Sequence, residues 1–282
     1  MKICSLDSCK ISIRSKNAPG KARIKTPLGG GIMSPRHWFK IFIVGANFAL
    51  FGLICALGNL IFVPVALLGL YKFKFIRYFC RDLVRLAWRF FIFSTQISGY
   101  QRTKFDLPLG LGSASQIIIA NHPSLLDVVF LIALIRHANC VVKASLGKNI
   151  FLAPAIKSCG YILNTANEEL LQKSADALKS GESLIIFPEG TRTAGEIVFH
   201  KAAAYIAVNA AKQLVAVAIK MDPPSLKKNE PWYKTPSVMI KYEFKELFRL
   251  NLDGFCADRP NPIRARELHA FISENYTKEF KQ

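Results

Sequence analysis

The residues that can do chemistry lie in two short runs. Asn121-His122-Pro123-Ser124-Leu125-Leu126-Asp127 places a carboxylate five positions after a histidine, and Phe187-Pro188-Glu189-Gly190-Thr191-Arg192-Thr193 follows some 60 residues later. A histidine takes a proton from a hydroxyl near neutral pH when a second group fixes its tautomer. A carboxylate in the first turn of a helix can fix it and stabilise the imidazolium that forms. No serine or cysteine nucleophile is implied, because the substrate's own alcohol serves. Arg192, close to a glycine that lets backbone approach, suits an anionic group on that substrate. Asn121 and Thr191 add loop geometry and hydrogen bonding. Each residue has a plainer reading on its own: a packing histidine, a helix-terminus aspartate, a Glu189–Arg192 pair across a turn. Two such runs in one chain outweigh those readings.

The elements that must position these runs come from apolar patterning. Gln116-Ile117-Ile118-Ile119-Ala120 leads straight into His122, and the apolar-periodic stretch that follows predicts strand 115–120, a tight loop, and helix 124–136. The second run repeats this layout after a strand at 183–187. Between and beyond them the pattern gives strand 139–144, helix 148–158, strand 160–164, helix 167–180, helix 199–212, strand 214–220, strand 236–243 and helix 262–279. Strands alternating with helices predict an α/β fold, a largely parallel sheet flanked by helices. Sites in such sheets form outside the carboxyl ends of strands, where two polar loops can share one crevice.

Three segments divide the 282-residue chain: a basic tail at 1–34 expected to be disordered, membrane-anchoring helices at 35–93, and the α/β domain at 94–282. The tail shows no signal-peptide pattern, and Met33 is a second candidate start. Residues 41–71 are almost wholly apolar and carry no charge. As one helix they would be about 46 Å long against a hydrocarbon core of about 30 Å. Gly58-Asn59 and Pro64 favour a break, and so a re-entrant pair of short helices over one tilted span. In 72–93, Arg77, Arg81, Arg85 and Arg89 recur every four residues as a cationic stripe, which reads as an amphipathic helix at the headgroups. Thirteen of the nineteen net positive charges lie in 1–40 and 72–89, bracketing the apolar segment. That placement fits anionic membrane lipid and argues against a nucleic-acid partner. The seven cysteines include no Cys-x-x-Cys pair, and His37, His137, His200 and His269 have no ligand spacing, so no metal is expected. Lys143 and Lys201 are weaker candidates for positive charge near the site. The sequence carries no signal for oligomeric state.

With both motifs in this order and each behind a predicted strand, the chain resembles the glycerolipid acyltransferase family, typified by 1-acylglycerol-3-phosphate acyltransferases, over roughly residues 90–225. The resemblance implies transfer of an acyl chain to a lipid hydroxyl. The donor would be a thioester co-substrate, acyl-CoA or acyl-carrier protein, with no cofactor. His122 would be the base, Asp127 its orienting carboxylate, and Asn121, Glu189, Gly190, Thr191 and Arg192 the acceptor's surroundings. It also implies a place at the membrane, on the cytoplasmic face of the inner membrane if the chain is bacterial. Two departures stand out. Gly160-Tyr161-Ile162-Leu163-Asn164-Thr165-Ala166 aligns with a family motif that ends in an arginine, so Ala166 stands where that residue helps bind the acceptor's phosphate; and Val215-Ala216-Val217 lacks the family's proline. Alternatives are therefore a non-phosphate acceptor such as a lyso-ornithine lipid, or a non-catalytic membrane lipid-binding protein.

Overall fold

The computed structural model describes residues 35–165, 168–193, 197–227 and 230–281. The tail 1–34, the candidate start Met33 and Ala166 lie outside the described residues. In chain order the elements are α1 (Pro35–Leu67), α2 (Lys74–Ile97), β1 (Gln101–Asp106), β2 (Gln116–Ala120), α3 (Asp127–Leu134), β3 (Asn139–Lys143), α4 (Ala153–Cys159), β4 (Ile162–Asn164), α5 (Glu168–Lys179), β5 (Leu184–Ile186), α6 (Ala202–Ala210), β6 (Gln213–Asp222), β7 (Ile240–Asn251) and α7 (Asn261–Lys281).

Seven strands form one sheet in the order β1-β7-β6-β2-β5-β3-β4. Every pairing is parallel except β6 with β7. The sheet is thus mixed but largely parallel, as the alternating pattern predicts. The central strands read as unbroken apolar runs because both their faces are covered. Ile118, Ala120, Ile185, Val215 and Val217 face one core, shared with α1, α2 and α3. Ile117, Ile119, Leu184, Ile186 and Ala216 face the other, filled from α5, α6 and α7. β1 was not expected. Its Arg102, Lys104, Phe105 and Asp106 are exposed, so this edge strand lacks the alternation that marks a half-buried one. β7 begins later and runs further than the predicted 236–243, following β6 through a register shift at Ala216/Val217.

The N-terminal helices depart from expectation in two ways. α1 is continuous through Gly58-Asn59, with no break at either position. A side chain at Gly58 would meet the Phe62 ring at 2.9 Å, so this glycine makes room for Phe62. Pro64 lies three residues before the helix end; it forgoes the bond to Leu60 O, and the chain stays helical to Leu67. The chain reverses instead at residues 68–73, and α2 returns alongside. The second departure lies within the arginine stripe: Arg89 is exposed and Arg77 and Arg85 are partly so, but Arg81 is not. Arg81 is buried and donates from Nε to Cys159 O at 2.8 Å and from Nη1 to His137 O and to Glu182 Oε2, both at 2.9 Å. Phe75, Phe79, Leu86, Phe90, Phe93 and Ile97 are the exposed side of α2. Trp38, Phe39, Phe42, Leu53, Leu57, Leu60 and Leu67 extend that apolar surface along α1, the one described helix long and apolar enough to cross a membrane.

Candidate active site

β2 and β5 are adjacent and parallel, with Ile119 opposite Ile186. His122 and Glu189 each stand three residues beyond that rung, so the two polar loops leave the sheet side by side. The chain then departs to opposite faces, α3 toward one core and α6 toward the other. The crevice this divergence opens is where α/β sheets bind ligands.

At the first loop, His122 Nδ1 lies 2.8 Å from Asp127 Oδ2. Asp127 opens α3 and is fully buried. Its carboxylate also accepts the Ser124 backbone N–H at 2.7 Å and the Ser124 hydroxyl at 2.8 Å. Three donors on one carboxylate compensate for its loss of water. They also explain why the helix starts at 127 and not at the predicted 124: residues 124–126 coil around the carboxylate. Ser124 Oγ in turn accepts from Leu126 N–H and Tyr242 OH, both at 3.1 Å. A carboxylate has no proton to give, so Nδ1 carries the hydrogen and Nε2 is left as the acceptor. The His122 side chain keeps 17% of its exposure, enough for a substrate hydroxyl to reach it. Phe187 packs against the imidazole, ring centroids 4.5 Å apart.

The second loop holds the first in place. Glu189 Oε1 accepts the His122 backbone N–H at 2.8 Å, Glu189 Oε2 accepts the Thr193 hydroxyl at 2.6 Å, and Thr193 N–H donates to His122 O at 2.8 Å. Glu189 therefore faces inward with both oxygens taken by protein donors. It joins the loops and is not open to an acceptor. Gly190 has φ of +65°, and a side chain there would approach His200 and Asn164. Thr191 is exposed. Arg192 Nη1 donates to Leu226 O at 2.8 Å and Lys227 O at 3.1 Å. Among the described residues nothing bonds its Nε or Nη2, which leaves one edge of an anchored guanidinium for an anion. Asn121 is buried and pairs with both backbone groups of Ile219 on β6, at 2.9 and 2.8 Å, so it fixes the start of the first loop. The structure thus brings His122, Asp127, Asn121, Glu189 and Gly190 together. Ser124, Tyr242 and Thr193 complete the arrangement and were missed, although Ser124-x-x-Asp127 is a recognisable capping pattern. The Ser124 N–H is spent on Asp127 and so is not available to an oxyanion. Among the described residues no group of three or more His, Cys, Asp or Glu is placed to hold a metal ion.

Burial pushes Glu189 above the usual carboxylate range, against the opposing pull of Thr193 and His122. A raised carboxylate stabilises the fold less as pH climbs through that range, because the folded state then holds the proton the unfolded state has released. Glutamine keeps an acceptor for His122 N–H and, on the other side, meets a hydroxyl that can turn to accept. The melting temperature of Glu189→Gln relative to the parent is therefore expected to rise with pH across and above the carboxylate range. Calorimetry over a pH series reads this directly, and a difference independent of pH would contradict the assignment.

An apolar cavity of about 710 Å³ lies beside the dyad, between α1, α2, α3 and α4. Leu125 and Leu126 line it, directly after the histidine loop, together with Phe51, Trp88, Val129 and Leu226.

Comparison with known proteins agrees with this geometry. Residues 101–220 match the family model described as Acyltransferase. A 1-acyl-sn-glycerol-3-phosphate acyltransferase of Helicobacter pylori is 34% identical over 89 residues, which are 29% of this chain and 38% of that protein. The match therefore spans well under half the length of that relative. The crystal structure of the 1-acyl-sn-glycerophosphate acyltransferase of Thermotoga maritima superposes with a TM-score of 0.61 at 20% identity, covering 87% of this chain and 98% of that one. It establishes the shared fold.

Proposed function

We propose that this chain, whose residues 101–220 match the Acyltransferase family model, moves a fatty acyl group from a thioester, acyl-CoA or acyl-carrier protein, to the hydroxyl of a lysophospholipid-type acceptor such as 1-acylglycerol-3-phosphate. The observation that carries the reading is the His122 Nδ1 to Asp127 Oδ2 contact at the exit of β2, on a histidine whose side chain is only partly covered. Nε2 takes the proton as the acceptor oxygen attacks the thioester carbonyl, and Asp127 stabilises the imidazolium. On collapse of the tetrahedral intermediate the C–S bond breaks, and the proton passes from Nε2 to the departing thiolate. Glu189 and Asn121 act by holding the loops, and Arg192 and Thr191 by meeting the acceptor. The uncovered apolar surface of α1 and α2 supports membrane association, which is where both lipid substrates reside. The test is turnover by purified protein given a long-chain thioester and lysophosphatidate, with His122→Ala as control. Equal turnover by the two proteins would end the proposal.

The apolar cavity supports a place for an acyl chain. Ala87 lines it from α2, and Ala87→Phe would deny room to several methylenes. At about 0.8 kcal/mol per methylene, excluding four costs about 3 kcal/mol, or roughly two orders of magnitude in kcat/KM. Long-chain thioesters are expected to lose that much while short ones keep their rate. A uniform loss at all lengths would place the chain elsewhere.

A second reading has a specific observation behind it. Ala166 leaves the acceptor's phosphate without the arginine found in the related motif, so a phosphate-free lysolipid is a rival acceptor. Comparing kcat/KM on lysophosphatidate and on such a lysolipid separates the two.

A further inference from the structure

We propose that Pro231–Met239, between β6 and β7, is a third bilayer-contacting element, seated at the headgroup level beside the first half of α1. This rests on the membrane-associated reading of α1 and α2. Trp232, Tyr233, Val238 and Met239 are all exposed in this short stretch, an unusual concentration of large apolar side chains on open surface. They are held in place. A side chain at Gly45 would stand 3.6 Å from the Trp232 ring, Trp232 and Phe48 centroids are 6.1 Å apart, and Ser237 Oγ lies 3.1 Å from His37 Nδ1. All three contacts are to α1. Gly45 lies three residues after Phe42 and four before Ala49, so it adjoins the stripe that exposes Trp38, Phe42, Ala49 and Leu53. The segment thus continues an apolar surface already without a protein partner. Its chemistry is that of an interface and not of a membrane core: a Trp and a Tyr carry a polar atom on an apolar ring, and Lys227, Lys234 and Lys241 flank them.

The same loop reaches the site at its other end. Leu226 lines the apolar cavity, and the carbonyls of Leu226 and Lys227 hold Arg192 Nη1. One connection therefore touches α1, the cavity and the acceptor loop. Contact with lipid at Trp232 would help present acceptor from the bilayer without entering the chemistry.

The test uses the full chain with Trp38→Phe and Trp88→Phe, which leaves Trp232 as the sole tryptophan. Vesicles of phosphatidylethanolamine and phosphatidylglycerol, with acyl chains brominated near the headgroup, serve as the probe. Trp232 emission is expected to shift to the blue and fall about twofold on binding, with reduced quenching by acrylamide. If the protein sediments with vesicles while Trp232 stays open to acrylamide and blind to bromine, this inference fails and the reading of α1 and α2 stands. If the protein does not sediment, both fail. Shielding of Trp232 that grows with protein concentration in the absence of lipid would give this surface to a second copy and overturn the proposal. Kinetics add an independent arm. Trp232→Ser with Tyr233→Ser is expected to raise KM about tenfold for an acceptor embedded in vesicles, and to leave kcat on a short-chain, monomeric acceptor unchanged. Equal losses on both acceptors would mean that the residues serve the fold alone.

Discussion

Asparagine at position 127 is expected to lower kcat by about three orders of magnitude while leaving KM for the acceptor nearly unchanged. The geometry offers the amide two orientations, and neither works. With its NH2 toward His122, it meets the Ser124 N–H as a second donor and forces the imidazole hydrogen onto Nε2, the atom that must accept. With its oxygen toward His122, the tautomer survives, but the NH2 then points at a Ser124 hydroxyl that already accepts from Leu126 and Tyr242. The neutral amide in that orientation also gives the imidazolium no charge to lean on. Because the position is ringed by donors, the second orientation is favoured. The fold then loses about 1–3 kcal/mol from imperfect hydrogen bonding. Single-turnover kinetics with thermal melts separate the two effects. His122→Ala should be as severe, and the double variant no worse than either, since residues that act as one unit do not add. Retention of kcat within about tenfold in Asp127→Asn would remove the general-base mechanism.

The fold and the site were legible to different depths. Apolar runs feeding Pro- and Gly-containing loops marked β2 and β5, and strand adjacency then brought the two motifs together. What a linear pattern does not carry is which way a side chain turns in an irregular loop. Glu189 was expected to face an acceptor, and it faces His122 and Thr193 instead. The four-residue arginine period did mark one face of α2, but period alone does not say what covers a face. The usual rule sends charge outward. Here Glu182, a hundred residues away in sequence, receives Arg81, and the apolar side is left outside. β1 escaped notice because an exposed edge strand has nothing to alternate. The aromatic cluster at 232–239 gained meaning only from its neighbours on α1.

The largest stability effect is expected from Arg81. Its guanidinium joins α2 to three other places at once: the end of α4 through Cys159 O, the turn after α3 through His137 O, and the approach to β5 through Glu182. Asn139 Nδ2 donates to the same Glu182 oxygen at 3.0 Å, and Arg77 stands 3.8 Å from the other. Arg81→Met leaves two carbonyls and a buried carboxylate short of donors, and the expected loss is about 3–5 kcal/mol. Lysine should not rescue it, because a single ammonium cannot span the fork that reaches all three acceptors. Adding Glu182→Leu to Arg81→Met should recover the share of the loss due to the unpaired carboxylate, but not the share due to the two carbonyls and Asn139 Nδ2, which are left without partners. Denaturant titration in detergent would read these values, and a loss under about 1 kcal/mol for Arg81→Met would refute the assignment. The functional consequence follows from position. Glu182 precedes β5, whereas the dyad lies beyond the opposite ends of β2 and β5. A loosened α2 should therefore disturb the apolar cavity it walls before it disturbs His122 and Asp127. In the folded fraction of an Arg81 variant, selectivity among acyl chain lengths should relax while turnover of the shortest chains persists.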